Sequence, residues 1–98
     1  MAFNLIWSPT AHRDIKDIAD YLSEYSLSAS KRIVAGIFED AERLHEFPES
    51  GRVVPEFDNP SIREIVRKPF RIVYRVDDTR YRIEIVRIWH SARGTPNI

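Results

Sequence analysis

Phe70-Arg71-Ile72-Val73-Tyr74-Arg75-Val76 is the stretch on which the fold turns. It is rich in β-branched and aromatic residues, and side chains on a strand point alternately to opposite sides. Phe70, Ile72, Tyr74 and Val76 therefore share one face, and Arg71, Val73 and Arg75 share the other. Similar chemistry lies on both sides of it, at 62–66 and 81–89, with Asp77-Asp78-Thr79 supplying a hairpin turn. The reading is three successive antiparallel strands with one face packed on helices and the opposite face cationic. The last strand is less regular, since Ile83 and Ile85 fall on one side and Val86, Ile88 and His90 on the other. A bulge or a two-sided central position explains that pattern.

Upstream, Asn4-Leu5-Ile6-Trp7 reads as a short strand, and Ser8-Pro9 offers an N-cap followed by proline in the first helical position. Ala11, Ile15, Ile18, Leu22 and Tyr25 recur at helical spacing, with charged residues on the other faces. Ser26-Leu27-Ser28 gives a turn and a fresh cap. A second stripe follows through Ile33, Ile37, Ala41 and Leu44, widened by Val34 and Phe38. Pro48-Glu49-Ser50-Gly51 ends that helix, and a connecting loop runs to Pro60. The expected order is β-α-α-β-β-β, an α+β domain with an antiparallel two-helix hairpin between the first strand and a three-stranded meander.

The 98 residues leave room for one domain spanning 1–98, and 43% hydrophobic with 31% charged residues is an ordinary globular balance. The absence of cysteine removes disulfides, thiol nucleophiles and cysteine-bound zinc together. The N-terminal sequence lacks the pattern of a signal peptide, and no run is long enough to span a membrane, so the expected compartment is the cytoplasm. Net charge is zero but unevenly placed. Residues 1–60 hold six Lys/Arg against eleven Asp/Glu, and residues 61–98 hold nine against four. That asymmetry fits a basic surface for phosphates or an acidic protein, and equally two halves that complement each other across the fold.

The residues with chemical potential are Glu56 in the loop sequence Arg52-Val53-Val54-Pro55-Glu56, Arg71 and Arg75 in the middle strand, and the ending Trp89-His90-Ser91-Ala92-Arg93. Brought together at one end of the sheet, they contain the parts for cleaving RNA without a metal. A base takes the 2′-hydroxyl proton, an arginine stabilises the charge on the phosphorane, and an acid protonates the leaving oxygen. Each residue also has an ordinary reading. Glu56 suits a solvated loop, Arg71 and Arg75 suit an exposed sheet face beside Arg63 and Arg67, His90 suits a strand end, and Trp89 suits the sheet edge. His12, His45 and His90 share no ligand spacing, and no glycine-rich phosphate loop is present.

The order of these pieces resembles the RelE/ParE superfamily of bacterial toxins over nearly the whole chain. The matching stretches are Leu5-Ile6-Trp7-Ser8-Pro9 with Ala11 and Asp14, Gly51-Arg52 with Val54-Pro55-Glu56, Arg63-Glu64-Ile65, Phe70 to Arg75, and Arg87 to Arg93. The resemblance implies a toxin neutralised by an antitoxin encoded beside it, needing no cofactor and no membrane. The superfamily divides between RelE- and YoeB-like members, which cut messenger RNA on the ribosome, and ParE-like members, which bind DNA gyrase. On the YoeB-like pattern, Glu56 would be general base, Arg71 phosphate stabiliser and His90 general acid; Arg52, Arg63, Arg75 and Arg93 are the expected RNA- or phosphate-binding residues around them. Ser91 stands where YoeB-like toxins carry a terminal tyrosine, and the lysine cluster of RelE is missing. The long helical hairpin and a histidine in the final strand are equally ParE-like. The resemblance favours a metal-independent endoribonuclease, with gyrase inhibition as its competitor and an attenuated toxin that only binds antitoxin as a third possibility.

Overall fold

A proline that needs no hydrogen bond and a serine that can cap fix the first helix: Ser8 Oγ accepts from Ala11 N at 3.0 Å, and Pro9 begins the helical run. The computed structural model describes residues 2–98. Strand β1 (Asn4–Trp7) leads into helix α1 (Pro9–Ser23). Helix α2 (Leu27–Glu42) follows, capped by Ser26 Oγ accepting from Ala29 N at 3.2 Å. A single 3₁₀ turn (Arg43–His45) leads to the loop, and then come β2 (Arg52–Val53), β3 (Ile62–Arg67), β4 (Phe70–Asp77) and β5 (Arg82–His90). The expected α+β order is present, and Asp77 Oδ1 closes the β4–β5 turn by accepting from Thr79 N and Arg80 N.

The strands form one sheet in the order β1-β5-β4-β3-β2. The meander β3-β4-β5 is antiparallel as expected, but β1 lies parallel to β5, so the sheet is mixed. Parallel neighbours require a long crossover, and here the hairpin and all of β2 to β4 lie between the two strands in sequence. Strand β2 was not expected. Its two residues pair with Glu64 and Arg63 inside what reads as loop, and a two-residue strand leaves no periodicity to detect.

The helix-facing side of the sheet carries the main core, in which Ile72, Tyr74, Ile83 and Ile85 meet Ala11, Ile15, Ile37 and Leu44. The register shifts between Val73 and Tyr74, whose partners are Arg87 and Ile85, so Val86 is the extra residue of a bulge. The bulge turns Val86 to the opposite side, where it joins Val54, Ile62 and Val73 in a second small core covered by Phe57. The expectation of a simply cationic outer face is thereby corrected. The loop after β2 and the C-terminal residues roof part of it, and its arginines are largely paired. Pro96 is buried, and the carbonyls of Gly94 and Asn97 accept from Trp89 Nε1 at 3.1 Å and Arg87 Nη1 at 2.7 Å. Among the described residues no helix is long and apolar enough to cross a membrane.

Candidate functional site

Opposed residues on neighbouring strands share a face, so register alone places two rows of side chains on the outer side of the sheet. Arg52, Glu64 and Val73 form one row, and Val66, Arg71 and Trp89 form the next. Glu64 is 1% exposed and Arg71 7% exposed. A buried carboxylate needs cationic partners. Arg71 Nε donates to Glu64 Oε1 at 2.5 Å, and Arg52 Nε donates to Glu64 Oε2 at 2.6 Å, so both carboxylate oxygens are held.

Glu56 arrives from the turn after Val54, where Phe57 N and Asp58 N both donate to the Val54 carbonyl. Its carboxylate sits across the fork of Arg71, with Nη1–Oε2 at 2.9 Å and Nη2–Oε1 at 2.7 Å. Two parallel charge-assisted bonds are the strongest arrangement available to this pair of groups. Their effect is to lower the Glu56 pKa to about 2, chiefly through the Arg71 hydrogen bonds, and to raise that of Arg71, chiefly through Glu56. A cavity of about 270 Å³ opens beside this pair, lined by Arg52, Pro55, Glu56, Val66, Arg71 and Ser91.

Of the proposed catalytic set, the structure brings Glu56 and Arg71 into contact and leaves His90 elsewhere. His90 is opposite Phe70, on the helix-facing side of the sheet, and its ring meets the Phe70 ring edge-on at 5.5 Å. Its Nδ1 accepts from Ala92 N at 3.0 Å, which caps the closing 3₁₀ turn (Ser91–Arg93). The imidazole lines a separate, mostly apolar cavity of about 320 Å³ with Ile18, Tyr21, Leu22 and Phe70. Strand alternation dictates this result, because positions 70 and 90 are paired while Arg71 points the other way.

The remaining arginines are also engaged. Arg63 is in register with Tyr74, on the helix-facing side, and donates to the carbonyls of Pro60 and Gly51 at 3.1 and 3.0 Å. Arg75 stands 3.5 Å from Glu84, and Arg93 lies over the Trp89 ring at 3.9 Å. Arg52 has an exposed side chain, is hydrogen-bonded through Nε only, and lines the cavity beside the Glu56–Arg71 pair. Glu64 is the residue that inspection of the sequence overlooked. Its signal was an acid on the same strand face as Val66, flanked by arginines on both neighbouring strands, and recognising it required the β2 pairing.

A helical hairpin packed on one face of a mixed sheet is the fold this chain shares with toxins of type II toxin–antitoxin modules in the RelE/ParE superfamily. Residues 5–94 match the family described as ParE toxin of the type II toxin–antitoxin system, parDE, and the chain belongs to that family. It is 34% identical over 90 residues to Toxin RelE2 of Caulobacter vibrioides, covering 91% of this chain and 96% of that one. Its fold is similar to a chain of the chromosomal ParDE system from P. aeruginosa, with TM-score 0.73 and 25% identity over 91% of this chain and 96% of that one. It also matches a chain of the RelBE2 toxin–antitoxin complex from Mycobacterium tuberculosis, with TM-score 0.66 and 22% identity over 92% of each.

Proposed function

We propose that this toxin arrests its target by binding, with DNA gyrase as the target, and that a cognate antitoxin neutralises it. The observation that carries the reading is the separation of His90 from Glu56 and Arg71 by the thickness of the sheet. A general acid and base must both reach the reacting phosphate. Here a carboxylate with a pKa of about 2 is a weak base, and both its oxygens are committed to Arg71. Arg71 in turn has Nε on Glu64 and both terminal nitrogens on Glu56, with Nη1 also reaching the Gly94 carbonyl, so a bidentate grip on a phosphorane would have to displace an internal partner. Membership of the ParE toxin family supports the same direction.

Ribosome-dependent RNA cleavage is the second reading. It is favoured by the placement of Glu56 and Arg71 together on an open cavity and by the 34% identity to Toxin RelE2. Inducing the protein in cells separates the two. Gyrase poisoning produces chromosomal breaks, and the purified protein should block supercoiling with no ribosomes present. New 5′ ends within codons, abolished by Glu56→Ala, would overturn the binding-only reading.

A further inference from the structure

Glu64 is an unusual pivot, since each of its buried oxygens is engaged by the Nε of a different arginine. Gripping a guanidinium by Nε leaves the terminal fork free to point away from the grip, toward whatever occupies the adjoining space. Arg71 fills its fork with Glu56, whereas Arg52 has no partner for its terminal nitrogens among the described residues. Both arginines line the same cavity, whose other walls are Pro55, Val66, Ser91 and Glu56 itself.

We propose that this cavity is a receiving site for a side-chain carboxylate carried by a protein partner, with Arg52 as the fork that captures it and Glu64 as the residue that aims Arg52. The claim concerns a docking contact and is independent of whether the toxin acts on gyrase or on RNA. Charge selects the ligand. Arg71 is matched by Glu56 and Glu64, so the cationic group left open on this cavity is the terminal fork of Arg52, a single point of attachment and not a row of cations. Nucleic-acid affinity is built from unbalanced cations along the backbone. A single carboxylate needs only one fork, and planar carboxylate oxygens match two terminal N–H groups. Pro55 and the exposed Val66 then offer apolar contact to the residues flanking the acid. Glu56 occupies the neighbouring fork as an internal carboxylate of the same chemistry, which shows that the cluster accommodates such a group.

The test uses the full chain labelled with ¹⁵N and follows the arginine Nε–H signals during titration with a capped Val-Glu-Val peptide. Capped Val-Gln-Val, inorganic phosphate and a short single-stranded oligouridine serve as comparison probes. The expected result is a saturable shift of the Arg52 signal with the glutamate peptide, about tenfold weaker with each of the other probes, in line with the strength of charge-assisted pairing. Arg52→Gln should abolish the response while the backbone amide spectrum stays folded. Glu56→Gln removes the internal competitor and should tighten peptide binding by about threefold or more. Absence of a saturable shift with the glutamate peptide overturns the proposal. So does phosphate or oligouridine binding as tightly as the peptide, or Arg52→Gln binding unchanged.

Discussion

Tyr74 shows how one atom can hold a segment that has no secondary structure of its own. Its ring is fully buried in the main core, yet its hydroxyl donates to the Pro48 carbonyl at 2.9 Å and accepts from Gly51 N at 2.9 Å. Burial raises its pKa, and the two backbone groups satisfy the oxygen. Tyr74→Phe keeps the packing and orphans both partners, so a loss of about 1–3 kcal/mol in urea unfolding is expected. Glu56 makes a prediction of the opposite kind, in pH. Its folded pKa is depressed, so the stabilisation it contributes is present above the unfolded value of about 4.3 and disappears as pH falls toward its folded pKa of about 2. Unfolding midpoints measured across that window should fall with decreasing pH, and Glu56→Gln should flatten that part of the curve. Glu56 and Arg71 were legible as candidates because loop position and strand alternation are local properties. Glu64 and the Tyr74 hydroxyl were not, because their partners lie on other strands and in a loop 23 or more residues away for Tyr74.

Helix α2 carries a glycine in mid-helix, at a cost of roughly 0.5–1 kcal/mol relative to alanine. The structure gives the reason. The Arg67 guanidinium lies across Gly36, where a Cβ would collide with it, and donates from Nε to Asp40 Oδ2 at 2.6 Å. Asp40 is buried and also pairs with Arg43. Gly36→Ala gains helix propensity but pushes Arg67 off Asp40, and the two effects oppose each other. In an Arg67→Ala background only the gain remains, so Gly36→Ala should stabilise that variant by about 0.5–1 kcal/mol. The same substitution in the native chain should be neutral or destabilising, and a double-mutant cycle in urea measures the difference. Equal effects in both backgrounds would show that Arg67 does not constrain α2. At this scale the sequence was informative where a motif is long or chemically marked: both serine caps, the two amphipathic stripes and the meander all appear. Its limits were strand partnership and register. Nothing in Asn4 to Trp7 says that β1 will lie beside β5, because pairing depends on how the hairpin returns the chain to the sheet. The irregular pattern around Ile85 and Val86 pointed to a bulge or a two-sided central position, and the register shift shows the bulge, since a register change must break the alternation.

Across the whole molecule, Arg71 reaches both of the segments that roof the outer sheet face, and Trp89 and Arg87 also hold the C-terminal one. Arg71 takes Glu56 from the connecting loop, Glu64 from β3 and, at 3.4 Å, the Gly94 carbonyl from the C-terminal segment. Trp89, the cross-strand neighbour of Arg71, donates to the same carbonyl and lies between Arg87 and Arg93. The charge asymmetry seen along the chain is resolved by this kind of cross-connection: Arg87 on β5 pairs with Asp14 on α1 at 2.8 Å, and Arg67 pairs with Asp40 on α2. Of the nine cations in residues 61–98, Arg67, Arg71 and Arg87 are thus paired with acids from residues 1–60. A catalytic arginine and a fastening arginine differ in what their loss does to the fold. Arg71→Ala leaves Glu64 buried with only the exposed Arg52 beside it, and a broken buried ion pair costs about 3–5 kcal/mol. Hydrogen exchange should accelerate most at residues 56–58, which lose the Glu56 anchor, and less at 94–97, where Trp89 and Arg87 still hold the Gly94 and Asn97 carbonyls, while protection in α1 and α2 follows only the global decrease. Arg71→Lys should recover one contact and not the others, because a point charge lacks the three-sided reach of the guanidinium. If Arg71→Ala abolished toxicity with unchanged stability and unchanged exchange at residues 56–58, Arg71 would belong to the target-facing machinery and not to the architecture.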